Sequence, residues 1–564
     1  MVDCLILVER GICEPDLVKT LLAQAYRGYF RALRDGAPAI PGHQTGPLFA
    51  AAGDRPLLAD YGLATQISLT GVVLATELAA AGLSFEVIDD DDLVALWGPV
   101  LRERLGRCRM VAVSTTYTVR LRTLTTLLDQ LRAWAPAVPI LVGGQGLSAW
   151  RLAHACPAEL GAKLAGADAL FFGEAEGSFA ELVRRVAGRR PVAGIPGAVD
   201  LTAGGFAGDP EPVEVDVDQT LLPRWDLLRD HDWNDGAVAR WGLPKVAALE
   251  EGRGCSFKCK FCSYPLYAGF RRKSPGRVTA ELAAVAAAGF ATVSFCGAEF
   301  LSPLEKSRAV FAAIAAAALP VEIWAYARLD LVSYHPSIAD LMDRANFRFI
   351  QFGMESGDRG ILKAMNKNYD PGRMAVGARL LRERRIEVYA SLVLGYPGET
   401  AETLGNTLAV LEECDFDHLI VHSLQVVPGS PLWERRGEYG LAVTPQGFWS
   451  HPTMSLREMP AVIRRVVVEA TRRTGSLLNN VTQNFAPRFF AGRPPFADLK
   501  AAARTLQAIA AAEWAPEGPD LTLRRDLWQR LAAQVERVPP DLVDATLAEI
   551  PAARPAALAP LHPL

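Results

Sequence analysis

Cysteine is scarce in this chain, at nine residues in 564. So thin a scatter excludes a domain stapled by disulfides. An excess of positive charge is also missing. Lys and Arg number 59 against 63 Asp and Glu, for a net charge of -4, and the pI is near 6.1. Nucleic-acid binding through phosphate neutralisation is therefore not expected as the main activity. No uninterrupted apolar run reaches membrane-spanning length. The alanine-rich stretch 311–319 is closed by Pro320 and Glu322 and reads as a buried helix. No basic segment leading into an apolar one follows Met1, so no signal peptide is expected. The expected location is a reducing cytosol.

What is present is an ordinary globular composition, 50% hydrophobic and 22% charged. The length is too great for one core, so about three domains are expected. Three of the nine cysteines stand together. Cys255, Cys259 and Cys262 have the spacing C-x3-C-x2-C, with the aromatic Phe261 just before the last. Soft thiolates so close in sequence select an iron–sulfur cluster or zinc. A structural zinc wants four protein ligands, usually in paired short spacings. No second Cys/His pair lies nearby, His231 and Cys296 being single and distant. A four-iron cluster held by three cysteines keeps one iron open to chelate a small molecule. The spacing favours the cluster, with zinc as the alternative.

Residues 5–8 read as a first strand. From residue 61 strands alternate with helices: a helix over 63–81, a strand at 85–88, a helix over 93–105, and strands at 110–113, 140–142 and 169–172. This predicts a doubly wound, flavodoxin- or Rossmann-like α/β domain over 1–202, with ligands bound beyond the C-terminal strand ends. The loops there hold Ser114, Thr115, Thr116 and Tyr117, then Gly143, Gly144 and Gln145, then Gly173 and Glu174. Small and hydroxyl residues let a ligand approach the backbone closely.

Gly, Pro and acidic residues mark 203–244 as a linker. A second series of six β/α units starts at Val246 and runs to Pro431, predicting a partial, open β/α barrel over 245–436. Barrel sites lie at C-terminal strand ends. There the sequence places the cysteine loop, Gly297-Ala298-Glu299, Arg328, Glu355-Ser356 and Leu394-Gly395-Tyr396. Residues 437–552 read as mostly helical, 456–478 most clearly, and 553–564 as a disordered tail. Cys296 and Cys414 read as core thiols. His418 and His422 share a strand face, where they pack or pair on a metal.

The C-x3-C-x-aromatic-C loop after the first barrel strand resembles the defining motif of the radical SAM superfamily. Phe352–Gly357, Met365-Asn366-Lys367 and Leu394–Thr400 resemble further loops of that family. The resemblance implies that Cys255, Cys259 and Cys262 hold a [4Fe–4S] cluster whose open iron binds S-adenosylmethionine. It implies a methionine contact at the 297–299 turn, where Ala298 departs from the family's glycine. Arg328 would stand near the carboxylate, Glu355 and Ser356 near the ribose, and Leu394, Gly395 and Tyr396 near the adenine, with Phe261 also against the cofactor.

The first domain is similar to the cobalamin-binding domains of cobalamin-dependent radical SAM enzymes, on its 114–117 turn, Gly143-Gly144 and the stretch 167–177. The D-x-H-x-x-G motif is absent, which implies cobalamin with no histidine ligand from the protein. A flavodoxin-like domain that binds nothing is the alternative. Together the resemblances imply a methyltransferase acting at an unactivated carbon of a small-molecule or natural-product precursor. The loop 262–269, the start at Asp3–Leu7 and the 113–116 turn resemble a subgroup that includes phosphinate P-methyltransferases. A flavodoxin- or ferredoxin-type electron donor is implied. Two alternatives stay open: the same cofactors used for cyclisation, rearrangement or oxidation, and a non-enzymatic cobalamin or metal sensor.

Overall fold

Apolar runs with no polar face need cover on both sides, and two such runs mark the two large sheets. Val111–Ser114 and Val246–Leu249 are each buried throughout. The computed structural model describes residues 1–9, 21, 66–90, 101–116, 121–153, 157–202, 205–228, 246–264, 268–444, 447–478, 481, 496–518 and 520–534. Tyr117, His231, most of the helix expected at 93–105 and the tail at 553–564 lie outside them.

The first sheet has the order Phe85–Asp90, Cys4–Glu9, Val111–Ser114, Ile140–Gly143, Ala169–Phe171, Ala198–Thr202, Gly205–Gly208. Its first five strands are parallel and the last two join antiparallel. The parallel part is the doubly wound arrangement expected. Its strand order reverses at Cys4–Glu9, where such sheets open a ligand crevice. Strand Gly205–Gly208 falls in the stretch read as linker. It pairs with Ala198–Thr202 because Gly208 leaves room for the neighbouring strand: a Cβ there would stand 2.2 Å from the Ala198 carbonyl oxygen.

The second sheet is wholly parallel. Its order is Gln66–Ile67, Val246–Leu249, Thr292–Phe295, Glu322–Tyr326, Phe347–Glu355, Glu387–Leu394, His418–Ser423, Leu477–Leu478. The six expected barrel strands are present, with a two-residue strand added at each edge. The edge pairs correct two helix assignments. The helix read at 63–81 is Leu69–Ala80, preceded by Gln66–Ile67 on the barrel edge. The helix read at 456–478 is Met459–Arg473, followed by Leu477–Leu478. Helical periodicity alone does not register a two-residue strand beside it. The region after 437 also holds a small antiparallel sheet, Ala442–Val443, Trp449–His451 and Met454–Ser455.

Helix starts follow local chemistry. Ser274, Asp358, Thr400 and Ser430 each accept a backbone N–H from the first turn with their side chains, and Pro275 and Pro431 occupy first-turn positions that need no donor. One apolar cluster runs from the inner face of the first sheet, through Val72, Ala75 and Leu78, into the barrel; a second covers the outer face. Trp225 seals the junction, fully buried with its ring edge-on to Phe290 at 5.5 Å. Among the described residues no helix is long and apolar enough to cross a membrane.

Candidate active site

The cysteine loop leaves strand Val246–Leu249 between the paired segments Gly252–Arg253 and Arg271–Arg272. Gly254 turns it at φ 70°, where a Cβ would stand 2.6 Å from the Gly269 carbonyl oxygen; glycine avoids both penalties. Remote segments hold the loop backbone. The Lys260 N–H donates to the Met365 carbonyl at 2.9 Å, and the Leu432 N–H donates to the Lys260 carbonyl at 2.7 Å. The Asn366 side-chain amide donates to the Lys258 carbonyl at 2.7 Å. Met365-Asn366, a motif without an assigned task in the sequence, is a clamp on this loop.

Cys255, Cys259 and Cys262 are free, half-buried thiols. Burial pushes all three up, Cys262 to about 11. The Tyr264 N–H donates to the Cys262 sulfur at 3.4 Å, and Lys367 and Arg328 favour the thiolate of Cys259. Among the described residues no group of three His, Cys, Asp or Glu side chains is arranged to hold one metal ion. A bound cluster would supply the positive charge that buried thiolates need.

Charged side chains ring the loop. Arg328 makes a two-pronged bond to Asp330, at 3.0 and 2.8 Å, and its guanidinium lies 4.3 Å from the ring centre of Phe257 and 5.5 Å from that of Tyr369. Lys367 is buried and bonds Glu355 at 2.9 Å and the Gly353 carbonyl. Glu355 has φ 61°, a backbone strain that its ion pair to Lys367 offsets. Glu299 is buried, which raises its carboxyl to about 7, although the Leu301 N–H donates to it at 2.7 Å and Arg328 favours its charge.

Sequence reasoning missed Glu251, Arg272 and Tyr369, whose partners are distant in the chain, and Asp330, which bonds Arg328 two residues before it. Glu251 bonds Arg272 at 3.1 Å, and its Oε2 is buried with no partner among the described residues. A Cβ on Gly297 would stand 2.2 Å from that oxygen. Glycine at 297 makes room for a carboxylate of the protein, and the free oxygen suits a cationic ligand group. Half-buried Ala298 completes this turn.

The remaining predicted contacts are buried positions, apart from half-buried Phe261. Gly395 has φ 89°, and a Cβ there would stand 2.5 Å from the Trp449 ring. Its N–H donates to Glu399 and its carbonyl meets His451 Nε2 at 3.0 Å. Leu394 and Tyr396 are buried, with the Tyr396 hydroxyl donating to the Ala364 carbonyl at 3.1 Å. Ser356 is fully buried, and its hydroxyl meets Thr407 Oγ1 at 3.2 Å and accepts the Asp358 N–H at 3.1 Å. Phe261 packs against the barrel core. His418 Nε2 lies 2.6 Å from Glu387, which also bonds Lys500 at 2.6 Å, so that ring nitrogen already has a carboxylate partner.

A cavity of about 340 Å³ lies between the C-terminal strand ends of the first sheet and the cysteine loop. Ser114, Thr116, Gly143, Gly144, Gln145, Gly173 and Glu174 line one side, with Leu69, Val73 and Leu74 beside them. Glu250, Arg253, Gly254, Tyr264, Ala268 and Cys296 line the barrel side. Cys296 is thus a wall residue, its thiol donating to the Leu249 carbonyl at 3.1 Å, and burial raises it to about 12.

Several small residues serve the protein here. Thr115 is buried, donates to the Gly143 carbonyl at 2.8 Å and accepts the Leu147 N–H at 3.0 Å. Gly144 has φ 106°, and a Cβ would stand 2.8 Å from the Thr115 and Thr116 nitrogens. At Gly173 the crowding group is the backbone of Val213. The close approach expected of a ligand at Gly144 and Gly173 is made by the chain itself. Ser114 and Thr116 hydroxyls, 3.0 Å apart, remain on the cavity wall.

Glu174 joins the two halves. Arg271 bonds both its oxygens, at 2.5 and 2.9 Å, Arg253 lies at 2.9 Å, and the Val215 N–H donates at 2.8 Å. Burial disfavours its charge, but these partners hold its carboxyl below the ordinary value. Arg253 also pairs with Glu176 and Glu250.

Residues 250–411 match the Radical SAM superfamily. An uncharacterized methyltransferase of Pyrococcus horikoshii is 27% identical over 271 residues, 47% of this chain and 57% of its own length. Hopanoid C-2 methylase of Rhodopseudomonas palustris is 27% identical over 209 residues, 35% of this chain and 39% of its own. The match thus spans less than two thirds of either relative. The radical S-adenosylmethionine methyltransferase TsrM of Kitasatospora setae, solved with tryptophan substrate and a SAM analogue, superposes with TM-score 0.59 at 16% identity, covering 94% of this chain and 99% of TsrM. The cobalamin-dependent S-adenosylmethionine radical enzyme OxsB, solved with aqua-cobalamin and S-adenosylmethionine, gives 0.57 at 13%, covering 86% and 76%. Residues 250–411 are a radical SAM domain, and the chain around it has the fold of TsrM and OxsB.

Proposed function

We propose that this chain is a cobalamin-dependent radical SAM methyltransferase that methylates an unactivated carbon, or a phosphinate phosphorus, of a small-molecule precursor. The observation that carries the reading is the cavity shared by the crevice of the first sheet and the cysteine loop. It lets one substrate meet two cofactors. When bound, S-adenosylmethionine on a [4Fe–4S] cluster supplies a 5′-deoxyadenosyl radical, and methylcobalamin supplies the methyl group. The methyltransferase names of two sequence relatives and of TsrM favour methyl transfer over other radical outcomes.

In this reading residues 1–202 hold cobalamin, 203–244 connect, 245–436 hold the cluster and S-adenosylmethionine, and 437–552 close the substrate side. Cys255, Cys259 and Cys262 are the cluster ligands. Glu299, with Glu251 behind Gly297, faces the methionine amine. Arg328, pre-oriented by Asp330, faces the carboxylate. Glu355 faces the ribose, and the Leu394–Tyr396 backbone faces the adenine. Ser114, Thr116 and the Gly143–Gln145 turn border cobalamin. In this reading cobalamin takes no histidine ligand from the protein. A low-potential flavodoxin- or ferredoxin-type protein supplies the electron.

Anaerobic reconstitution with iron, sulfide and methylcobalamin, then mass spectrometry of products from labelled S-adenosylmethionine, tests this reading. Methyl transfer yields both 5′-deoxyadenosine and S-adenosylhomocysteine. Deoxyadenosine alone would favour cyclisation, rearrangement or oxidation instead.

A further inference from the structure

The outer side of the cysteine loop is cationic in a chain of net charge -4. Lys258 is exposed and Lys260 half-buried, and Cys259 lies between them. The clamp described above brings two more basic segments to the same place. Met365 and Asn366 bond the backbone of residues 258–260, and the helix that precedes them ends with exposed Lys363. The Leu432 N–H bonds the Lys260 carbonyl, and the turn that follows carries exposed Arg435 and Arg436. Lys260 Nζ lies 5.7 Å from the Tyr439 ring centre, which closes the ring of contacts.

The acids at this place are Glu434 and Glu438, and Glu438 is committed to Arg435. Lys258, Lys363 and Arg436 have no acidic partner among the described residues, Arg436 resting on the Trp433 ring 4.6 Å away. A surface of this kind attracts an acidic protein and steers its approach. The acids within it and the negative chain as a whole disfavour a nucleic-acid backbone, whose binding needs many neutralised phosphates.

We infer that this face docks an acidic one-electron carrier protein, a flavodoxin in its hydroquinone state. The inference rests on the reading of Cys255, Cys259 and Cys262 as cluster ligands. Lys258 and Lys260 flank one of those ligands, so a carrier seated here delivers its electron through a few residues. The anionic flavin hydroquinone gives one electron and becomes the neutral semiquinone. The cluster takes it and passes from the 2+ to the 1+ state, and no proton moves.

The test compares the parent protein with the double variant Lys363→Glu/Arg436→Glu, using an acidic flavodoxin as the probe. Two quantities are read: the flavodoxin Kd by flavin anisotropy across a salt series, and 5′-deoxyadenosine formation with either flavodoxin hydroquinone or dithionite as reductant. The inference expects the Kd to rise by about tenfold or more, with most of its salt dependence gone. Flavodoxin-driven cleavage falls to match, while dithionite-driven cleavage stays at the parent level. An unchanged Kd would overturn the docking surface. So would tight binding of a single-stranded RNA oligomer with none of flavodoxin. Failure of the parent to cleave S-adenosylmethionine with dithionite would instead overturn the radical reading, while the Kd still decides the surface.

Discussion

The side-chain amide of Asn366 lies 2.7 Å from the carbonyl oxygen of Lys258, 108 positions earlier in the chain. That bond and the Lys260–Met365 bond fasten the loop on both sides of Cys259. In the proposed reading Cys259 is a cluster ligand, and a ligand loop has to be held in position, which these two bonds do. Asn366→Ala removes one hydrogen bond to a carbonyl, worth about 1 kcal/mol. The expected result is faster loss of iron to a chelator with little change in the thermal midpoint of the apoprotein. Equal chelation rates would remove Asn366 from the site.

Gly297 and Glu251 make a second such pair. A methyl group at 297 would stand 2.2 Å from the buried Glu251 Oε2. Gly297→Ala is expected to cost about 1–3 kcal/mol in denaturant unfolding, as overpacking does. It should also weaken S-adenosylmethionine binding. Gly297→Ala combined with Glu251→Ala should recover part of the stability but not the binding.

Glu174 ties the first domain to the Arg253 and Arg271 segments beside the barrel. Its removal leaves Arg271 and Arg253 without their shared acceptor in a half-buried place. Arg253 keeps Glu176 and Glu250 and Arg271 keeps the Val215 carbonyl, so Glu174→Ala is expected to cost about 1–3 kcal/mol in coupling of the two parts. Retained cobalamin after gel filtration should fall, while iron content holds. Parallel loss of both would mean that the whole fold, not the junction, had failed.

Glu399 sets a pH dependence. Its carboxyl accepts the Gly395 N–H, yet burial raises it from 4.5 to about 7, and its Oε1 has no partner among the described residues. Between those values the native state keeps a proton that the unfolded state has lost. Stability therefore falls as pH rises through this window. Glu399→Gln should flatten that fall, seen as a smaller difference in urea midpoint between about pH 5 and about pH 8. An identical slope would contradict the assignment. Buried Glu299, raised to about 7, adds a slope of the same sign.

The cysteine spacing, the strand ends and the two-sheet architecture were legible because each is local or periodic. Val111–Ser114 and Val246–Leu249 are apolar runs of four residues, short for a helix and read as covered strands, and both are buried throughout. The partners of the site were not legible in the same way. Asp330 holds Arg328 from two residues away, but Phe257 and Tyr369, against its faces, come from elsewhere. Lys367 reaches back to Glu355, and Glu251 forward to Arg272. No spacing rule pairs such residues, because they come from loops that meet only when the strands line up in one sheet. Glycine was read in the right places but at Gly144 and Gly173 for a partial reason. A small residue marks a close approach without saying what approaches, and there it is Thr115 and Val213. The edge strand Gln66–Ile67 was hidden by the helix that follows it at once.

The most direct test of the account is product stoichiometry from the reconstituted protein under turnover with methyl-labelled S-adenosylmethionine and reductant. The account predicts 5′-deoxyadenosine and S-adenosylhomocysteine in comparable amounts, label in a methylated product, and no deoxyadenosine from Cys259→Ala. Deoxyadenosine from the Cys259→Ala variant, or deoxyadenosine without S-adenosylhomocysteine from the parent, would contradict it.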